Sequence, residues 1–278
     1  MVAKNRLLLA VLAVSASSLA EAADLPMPPA PPVAVAVPVA ELGAWYLRGD
    51  VGVGAVQGSN FHSTIEPGYA NGAFVLPNGP IVPAFASVGD SALYDFGFGY
   101  QLNAWLRGDL TGEYRAEATY RRGIAAAWWT PGGVGTNFDV YSAGLSTALF
   151  LANGYVDIGT WRGVTPFVHA GVGLAAHSFR GLNDNGGAVA LDAHPTNLAW
   201  AVGAGLAFSV TPNFNIEVGY RYIDMGGIGS NRLEYCLNQP CFNERQWFHV
   251  ASNDIRLGFR YLFEGPAVVA AAPVVAKY

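Results

Sequence analysis

Residues 106–122, which read LRGDLTGEYRAEATYRR, alternate between two kinds of side chain. The odd positions from Arg107 to Arg121 carry a charge or are threonine, whereas the even positions from Leu106 to Tyr120 carry no charge. Successive side chains of a β-strand point to opposite sides, but a helix would mix the two sets. The pattern therefore predicts a strand with one ionic face and one uncharged face.

The chain begins with the features of a secretory signal peptide. Lys4 and Arg6 precede an apolar run, and the small-residue motif AEA follows at residues 20–22. We expect residues 1–22 to be removed on export. Because this removes two basic residues and one acidic residue, the totals of 15 and 20 become 13 and 19, a net charge of −6. An acidic exported chain lacks the clustered cations that nucleic-acid binding requires.

No later stretch offers the roughly 18 to 20 uninterrupted apolar residues that a membrane helix needs. Cys236 and Cys241 are the only cysteines in the chain. In an exported protein this spacing favours a short-loop disulfide over a metal or reactive role, because no histidine or second cysteine pair lies at ligand spacing. No cofactor or metal is expected.

Segments with period-2 alternation recur between two ends rich in proline and alanine, which we predict to be a periplasmic linker at 23–44 and a tail at 264–278. We count eight strands, at about residues 45–56, 92–103, 106–122, 138–152, 164–179, 197–210, 214–225 and 250–263. The connections alternate between short turns and long loops, the long ones at about 57–91, 122–137, 180–196 and 226–249. This asymmetry predicts that residues 45–263 form an all-β, eight-stranded antiparallel up-and-down transmembrane β-barrel.

The charged face of residues 106–122 has counterparts on other predicted strands. Together they give seven basic and seven acidic candidates for the lumen: Arg48, Asp50, Asp95, Arg107, Asp109, Glu113, Arg115, Glu117, Arg121, Glu217, Arg221, Asp254, Arg256 and Arg260. The lumen of an eight-stranded barrel is only wide enough for side chains to fill it. We therefore expect these groups to pair with one another in a charge network.

A soluble barrel would place the same two faces the other way round, and alternation alone does not separate these alternatives. The difference in turn lengths favours lipid outside. So does the placement of aromatic residues at the strand ends, because tryptophan and tyrosine suit the boundary between water and hydrocarbon. The tryptophans concerned are Trp45, Trp105 and Trp161 near the short turns and Trp128, Trp200 and Trp247 near the long loops.

Three segments, TPFVHAGVGLA at 165–175, the hairpin sequence at 200–226 and DIRLGFRYLF at 254–263, resemble a known family. This is the family of small bacterial outer-membrane β-barrels described as porin-like or immunogenic surface proteins. The resemblance implies an outer-membrane location, contact with outer-membrane lipids, and recognition by the barrel assembly machinery. It also implies that Phe263 is the terminal aromatic assembly signal, although fifteen residues follow it here.

A histidine and a serine that share a proton can form a catalytic pair, as in barrel enzymes that act on lipid acyl chains. His177 and Ser178 are adjacent in a predicted strand, so they point to opposite faces and do not readily share a proton. His169 and His177 share a face but lie more than roughly 20 Å apart along the strand, too far to bind one metal. We assign no catalytic residue.

The sequence favours a non-enzymatic integral outer-membrane barrel with a structural and surface-display role. Its loops at 57–91 and 226–249 would then be available to host molecules or phage. The alternative is a narrow porin-like channel, in which the lumen charges rearrange to pass small solutes. A lipid-modifying barrel enzyme is a third and weaker hypothesis.

Overall fold

A computed structural model describes residues 43–66, 68–70, 73–77, 82–130, 133–234 and 243–263. The predicted signal peptide, nearly all of the predicted linker, the tail after Phe263, and both cysteines lie outside these residues. Within them, no helix is long and apolar enough to cross a membrane.

The alternating segments form eight long strands. They are β1 (Ala44–Glu66), β2 (Ser91–Gln101), β3 (Leu106–Thr130), β4 (Gly133–Asp157), β5 (Val164–Asp184), β6 (Thr196–Ser209), β7 (Phe214–Gly229) and β8 (Asn243–Leu262). Each strand pairs antiparallel with the next, and β1 pairs with β8 to close the ring. The predicted eight-stranded barrel is therefore confirmed.

The pairing register sets the tilt of the strands. The path of paired residues leads once round the ring through Trp45, Tyr100, Gly108, Gly154, Ala170, Val202, Tyr222, Asn253 and Ala55. It returns to β1 ten residues beyond its starting point. A stagger of this size in eight strands inclines them by about 40° to the barrel axis.

Several strands continue far into segments that the sequence analysis predicted to be loops. The predicted loop at 122–137 is largely strand, with β3 ending at Thr130 and β4 beginning at Gly133. Short strands occupy parts of the other predicted loops, at Gly68–Ala70, Ala73–Pro77, Val82–Val88, Val189–Ala190 and Leu233–Glu234. The loop predictions were wrong here because β-ladder hydrogen bonding continues where the apolar outer face has ended.

The outer face of the barrel is apolar next to the short turns. The exposed side chains there include Val51, Val53, Phe96, Phe98, Leu110, Phe150, Val172, Leu174, Val202, Leu206, Val218, Leu257 and Phe259. On β1 this band extends from Trp45 to Ala55, and the next outward residues are Gln57 and Ser59. Eleven strand residues inclined by about 40° rise about 25 Å, which matches the apolar belt of a transmembrane barrel.

Just beyond this band on β3, the polarity of the two faces is reversed. The interior there is a hydrophobic core that includes Tyr120, Ile124, Tyr141, Leu145, Phe179, Met225, Phe248 and Val250. The outward residues at this level of β3 are Glu117, Thr119 and Arg121. We call this part of the barrel, beyond the apolar band, the upper barrel.

A β-bulge in β3 accompanies the reversal. Between Arg115 and Ala118, β3 contains one residue more than its partner β4. Odd-numbered residues face the lumen before the bulge, whereas the even-numbered residues Ala118, Tyr120 and Arg122 face it afterwards. The extra residue thus lets one strand have a charged inner face below and an apolar inner face above.

This change of phase can be tested by cysteine labelling in a variant whose two native cysteines are replaced by serine. We expect a membrane-impermeant maleimide to label Thr119→Cys and Arg121→Cys in the detergent-solubilised barrel. Ala118→Cys and Tyr120→Cys should be protected until the protein is unfolded. Labelling of the second pair with protection of the first would show that strict alternation continues through this part of β3.

The apolar band generates a second prediction. Phe96 lies near mid-height of the band and is exposed, so Phe96→Arg should lower the free energy of unfolding by about 2 to 4 kcal/mol. Gln57→Arg is the matched control, because Gln57 faces outward just beyond the band and its replacement should cost little. Denaturant titration in phospholipid vesicles measures both, and equal effects would contradict the assigned band.

Candidate functional site

The lumen within the apolar band contains a dense cluster of charged residues. Twelve of the fourteen predicted lumen residues are buried there, each no more than 6% exposed: Arg48, Asp50, Asp95, Arg107, Asp109, Glu113, Arg115, Glu217, Arg221, Asp254, Arg256 and Arg260. They come from β1, β2, β3, β7 and β8, whose alternation turns every second side chain inward.

The other two predicted lumen residues are on the opposite face. The Glu117 side chain is 58% exposed, and Arg121 is also exposed on the outside of β3. The prediction was wrong for both because the bulge after Arg115 reverses the alternation. Arg122, which was not predicted, is buried instead.

Near the short turns, two arginines share one carboxylate. Arg260 Nε donates a hydrogen bond to Glu217 Oε1 at 2.8 Å, and Arg107 Nη1 lies 3.3 Å from the same oxygen. Arg107 also makes an ion pair with Asp157 at 3.3 Å. Its guanidinium stacks over the Tyr155 ring, with 4.2 Å between the guanidinium carbon and the ring centroid.

A second group of ion pairs lies one level higher. Arg48 contacts Asp50 at 2.9 Å and Asp109 at 3.2 Å. Arg256 contacts Asp50 at 3.1 Å and also pairs closely with Asp95. Arg48 also lies 3.7 Å from Glu217, so it meets three carboxylates and Arg256 meets two, in each case from different strands.

The highest ion pairs form a closed square of two arginines and two acids. Glu113 lies 2.8 Å from Arg115 Nε and 2.7 Å from Arg221 Nη2. Asp254 lies 2.5 Å from Arg115 Nη2 and 2.6 Å from Arg221 Nη2. Because all four side chains are almost fully buried, this mutual contact replaces the hydration that each charge loses.

The cluster also contains an acidic residue and two tyrosines that were not predicted from the sequence. Asp157 ends β4, is 6% exposed, and could have been found by extending the alternation of that strand. Tyr46 and Tyr155 are aromatic residues on the inner face, where only charges were sought. Tyr46 donates a hydrogen bond to Asp109 at 3.1 Å, and Arg48 donates one to the Tyr155 hydroxyl.

Side chains leave little free space at this level. A cavity of about 20 Å³ lies among ten residues that include Arg48, His169, Glu217 and Arg256. This volume has room for about one water molecule.

A smaller polar cluster lies inside the upper barrel. Glu244 accepts hydrogen bonds from Tyr141 at 2.8 Å and from Gln246 at 2.6 Å, and Gln246 accepts one from Arg122 at 2.6 Å. Burial raises the pKa of the Glu244 carboxyl to about 7, although the Tyr141 hydrogen bond opposes the rise. This cluster was missed because Glu244 and Gln246 fall in a predicted loop and Arg122 follows the bulge.

Two of the histidines lie beside hydroxyl groups. His177 is buried and contacts Thr147 and the Met225 carbonyl, each at 2.9 Å. Ser178 faces outward and lies 3.3 Å from His194, and no carboxylate among the described side chains contacts that histidine. Within the described part of the chain, no three or more His, Cys, Asp or Glu residues are arranged to hold a metal ion.

The ion-pair square predicts a sharp contrast between two glutamates of β3. Glu113→Ala should lower the free energy of unfolding by about 3 to 5 kcal/mol, because it leaves Arg115 and Arg221 buried with fewer counter-charges. Glu117→Ala, four residues along the same strand but on the outer face, should cost less than about 1 kcal/mol. Denaturant unfolding of both variants measures the difference, and similar losses would argue against the ion-pair square as a source of stability.

Comparisons with known proteins agree with this architecture. A family model described as "Outer membrane protein beta-barrel domain" matches residues 7–263. The outer membrane protein PagN of Salmonella typhimurium is 28% identical over 228 residues, which cover 78% of this chain and 89% of PagN.

Two solved structures align with most of this chain. The Neisserial surface protein A structure aligns with a TM-score of 0.40 at 17% identity, covering 80% of this chain and 100% of that protein. OprG from Pseudomonas aeruginosa aligns with a TM-score of 0.46 at 14% identity, covering 81% and 97%. With the family match extending over residues 7–263, the chain belongs to the outer membrane protein β-barrel domain family and is a protein of the bacterial outer membrane.

Proposed function

We propose that this protein is a non-enzymatic outer-membrane barrel with a closed lumen, whose upper barrel acts as a surface-exposed platform outside the cell. The proposal rests on the network of buried ion pairs in the lumen. The buried arginines contact acids from neighbouring and opposite strands, and the cavity among them has a volume of only about 20 Å³. A solute would have to separate these ion pairs to pass, and each separated charge would lose its counter-charge in a dry interior.

An aromatic cluster supports the same conclusion at a higher level. Tyr120 contacts Phe248 with 4.8 Å between ring centroids and meets Phe179 edge-on at 5.3 Å. Phe61 stacks on Phe248 at 5.7 Å. These side chains come from β1, β3, β5 and β8, so they extend across the lumen above the charges and form a second obstruction.

The length of the strands supports a role outside the membrane. A transmembrane β-strand needs about 9 to 11 residues, whereas β3 and β4 have 25 each. At a tilt of about 40° such a strand rises about 60 Å, more than twice the height of the apolar band. The upper barrel has an apolar core, and its outer surface carries both polar residues such as Thr119 and Arg121 and exposed apolar residues such as Phe85 and Leu191. It would therefore form a support for contacts with molecules outside the cell.

The position of Phe263 after β8 supports a proposed interaction with the barrel assembly machinery of the cell envelope. We propose that Phe263, which follows β8, serves as the aromatic signal for the barrel assembly machinery. Its backbone nitrogen donates a hydrogen bond to the Trp45 carbonyl at 2.9 Å, and its ring meets Tyr261 edge-on at 5.7 Å. The residue is thus fixed at the seam between the first and last strands.

Cleavage after residue 22 and a disulfide between the two cysteines remain predictions.

Planar-bilayer recording tests the closed lumen. We expect the purified wild-type protein to give no persistent open steps, because the ion pairs and the aromatic cluster fill the lumen. Glu113→Gln is a useful comparison, since it changes the charge of the lumen while nearly keeping the side-chain volume. Wild-type steps whose conductance or ion selectivity changes in Glu113→Gln would contradict the proposal and establish a channel. Steps that are identical in both proteins would come from a contaminating porin.

Labelling of intact cells tests surface display. In the cysteine-free background, Leu191→Cys should react with an impermeant maleimide, because Leu191 is 83% exposed at the end of the barrel opposite the short turns. Val210→Cys is the matched control, since Val210 is also exposed but adjoins a short turn on the periplasmic side. Labelling of Val210→Cys instead of Leu191→Cys would mean that the upper barrel points into the periplasm.

A further inference from the structure

A cationic patch lies on the outside of the barrel, just above the apolar band. It consists of Thr119 and Arg121 on β3, Ser142 on β4, and Arg180 on β5. The Arg180 side chain is 49% exposed, and its nearest acidic partner, Glu117, is 3.7 Å away. Arg121 is exposed and makes no ion pair or hydrogen bond with another described side chain. Two guanidinium groups are therefore available to an external anion.

The strand register brings these residues onto one surface. Thr119 pairs with Gly144, and Gly144 pairs with Arg180, so the three lie in a row across β3, β4 and β5. Arg121 pairs with Ser142 in the next outward row. From the spacing of strands and residues, the two arginine Cα atoms are about 12 Å apart. Because Gly144 has no side chain, the surface between the arginines is open except for the Glu117 carboxylate.

The surface directly below the patch is apolar. Phe150 on β4 is 63% exposed, and Leu174 on β5 is 52% exposed. Ala148 and Ala176 continue the same outward rows up to the patch. A molecule bound here would meet hydrocarbon-compatible side chains below and two cations above, which is the distribution of charge in a phosphorylated lipid.

We propose that this patch binds the phosphate groups of a phosphorylated glycolipid of the outer leaflet. Arg121 and Arg180 would contact phosphate oxygens, Thr119 would donate a hydrogen bond, and the acyl chains would lie against Phe150 and Leu174. The position of the patch at the edge of the apolar band favours a membrane lipid over a soluble anion.

Because of Glu117, we expect lipid binding at this site to require a divalent cation. Its carboxylate lies beside Arg180 and would repel a phosphate group. Mg²⁺ or Ca²⁺ can bind a carboxylate and a phosphate at the same time, since both supply hard oxygen ligands. The bound lipid is then held by two arginines and by one cation bridge.

The same height on the other side of the barrel has different chemistry. Asp224 on β7 is paired with His249 on β8 at 2.8 Å, and the outward residues of β1 are Gln57 and Ser59. Among the residues that the structure describes at this height, the arginines are thus confined to β3 and β5. A phosphorylated lipid should accordingly bind on one side of the barrel.

Native mass spectrometry of the full-length protein in neutral detergent tests the proposal. Synthetic bis-phosphorylated lipid A and its dephosphorylated analogue with the same acyl chains are titrated against wild type and the double variant Arg121→Gln/Arg180→Gln. We expect the double variant to bind the bis-phosphorylated lipid about thirtyfold more weakly, since each arginine near an anionic lipid surface contributes about 1 kcal/mol. The dephosphorylated lipid should bind both proteins equally weakly.

Arg245→Gln is the control, because Arg245 lies on the outer side of β8, away from the patch. It should bind the bis-phosphorylated lipid like wild type, and unboiled gels should show that all variants are folded. Equal binding by wild type and the double variant, or an equal loss in Arg245→Gln, would overturn the site. Complete displacement of the lipid by excess inorganic phosphate would show a simple anion site instead.

A chelator separates the contribution of the cation. Removing Mg²⁺ should weaken lipid binding to wild type more than to Glu117→Gln, because only the wild-type carboxylate needs a bridging ion. An equal effect on both proteins would overturn the cation bridge.

Discussion

The structure depends on charge neutralisation inside a ring of strands that is apolar on its outside. Twelve buried ionic side chains would be prohibitively costly as isolated charges in such a narrow space. They are tolerated because arginines and acids from five strands alternate in space, so that groups such as Glu113 and Asp254 each meet two guanidinium groups. The contacts also tie together strands that share no backbone hydrogen bonds, as Glu113 of β3 does with Arg221 of β7.

The same strands pass from hydrocarbon surroundings into water. Where its surroundings are hydrocarbon, the charges are inside; where its surroundings are water, the aliphatic and aromatic side chains are inside. In β8 the sequence itself changes along the inner face: even-numbered residues point inward throughout, from Phe248 and Val250 above to Asp254 and Arg256 below. In β3 the extra residue between Arg115 and Ala118 makes the exchange without interrupting the sheet.

Alternation was enough to predict the strand number, the closed barrel, the outward apolar side chains and most of the lumen charges. It failed for Glu117 and Arg121 because no residue in the sequence marks the bulge beside them. The register shifts in β1, β5 and β7 each lie at a residue with positive φ, namely Asn60, Gly181 or Gly226, and the bulge in β3 has no such residue. The strand ends were placed too early because polar outward residues beyond the apolar band look like loop sequence. Which arginine meets which acid depends on the stagger between strands, and a single sequence does not specify it.

The seam between β1 and β8 has a consequence for biogenesis. Tyr46 is paired with Leu262, so closing the wall joins residues near opposite ends of the described chain. Until β8 has been synthesised, β1 lacks one of its two neighbours, and an open edge in lipid would expose a row of unsatisfied amide groups. Closure of the barrel is therefore a late event in folding, because it joins residues of high sequence separation.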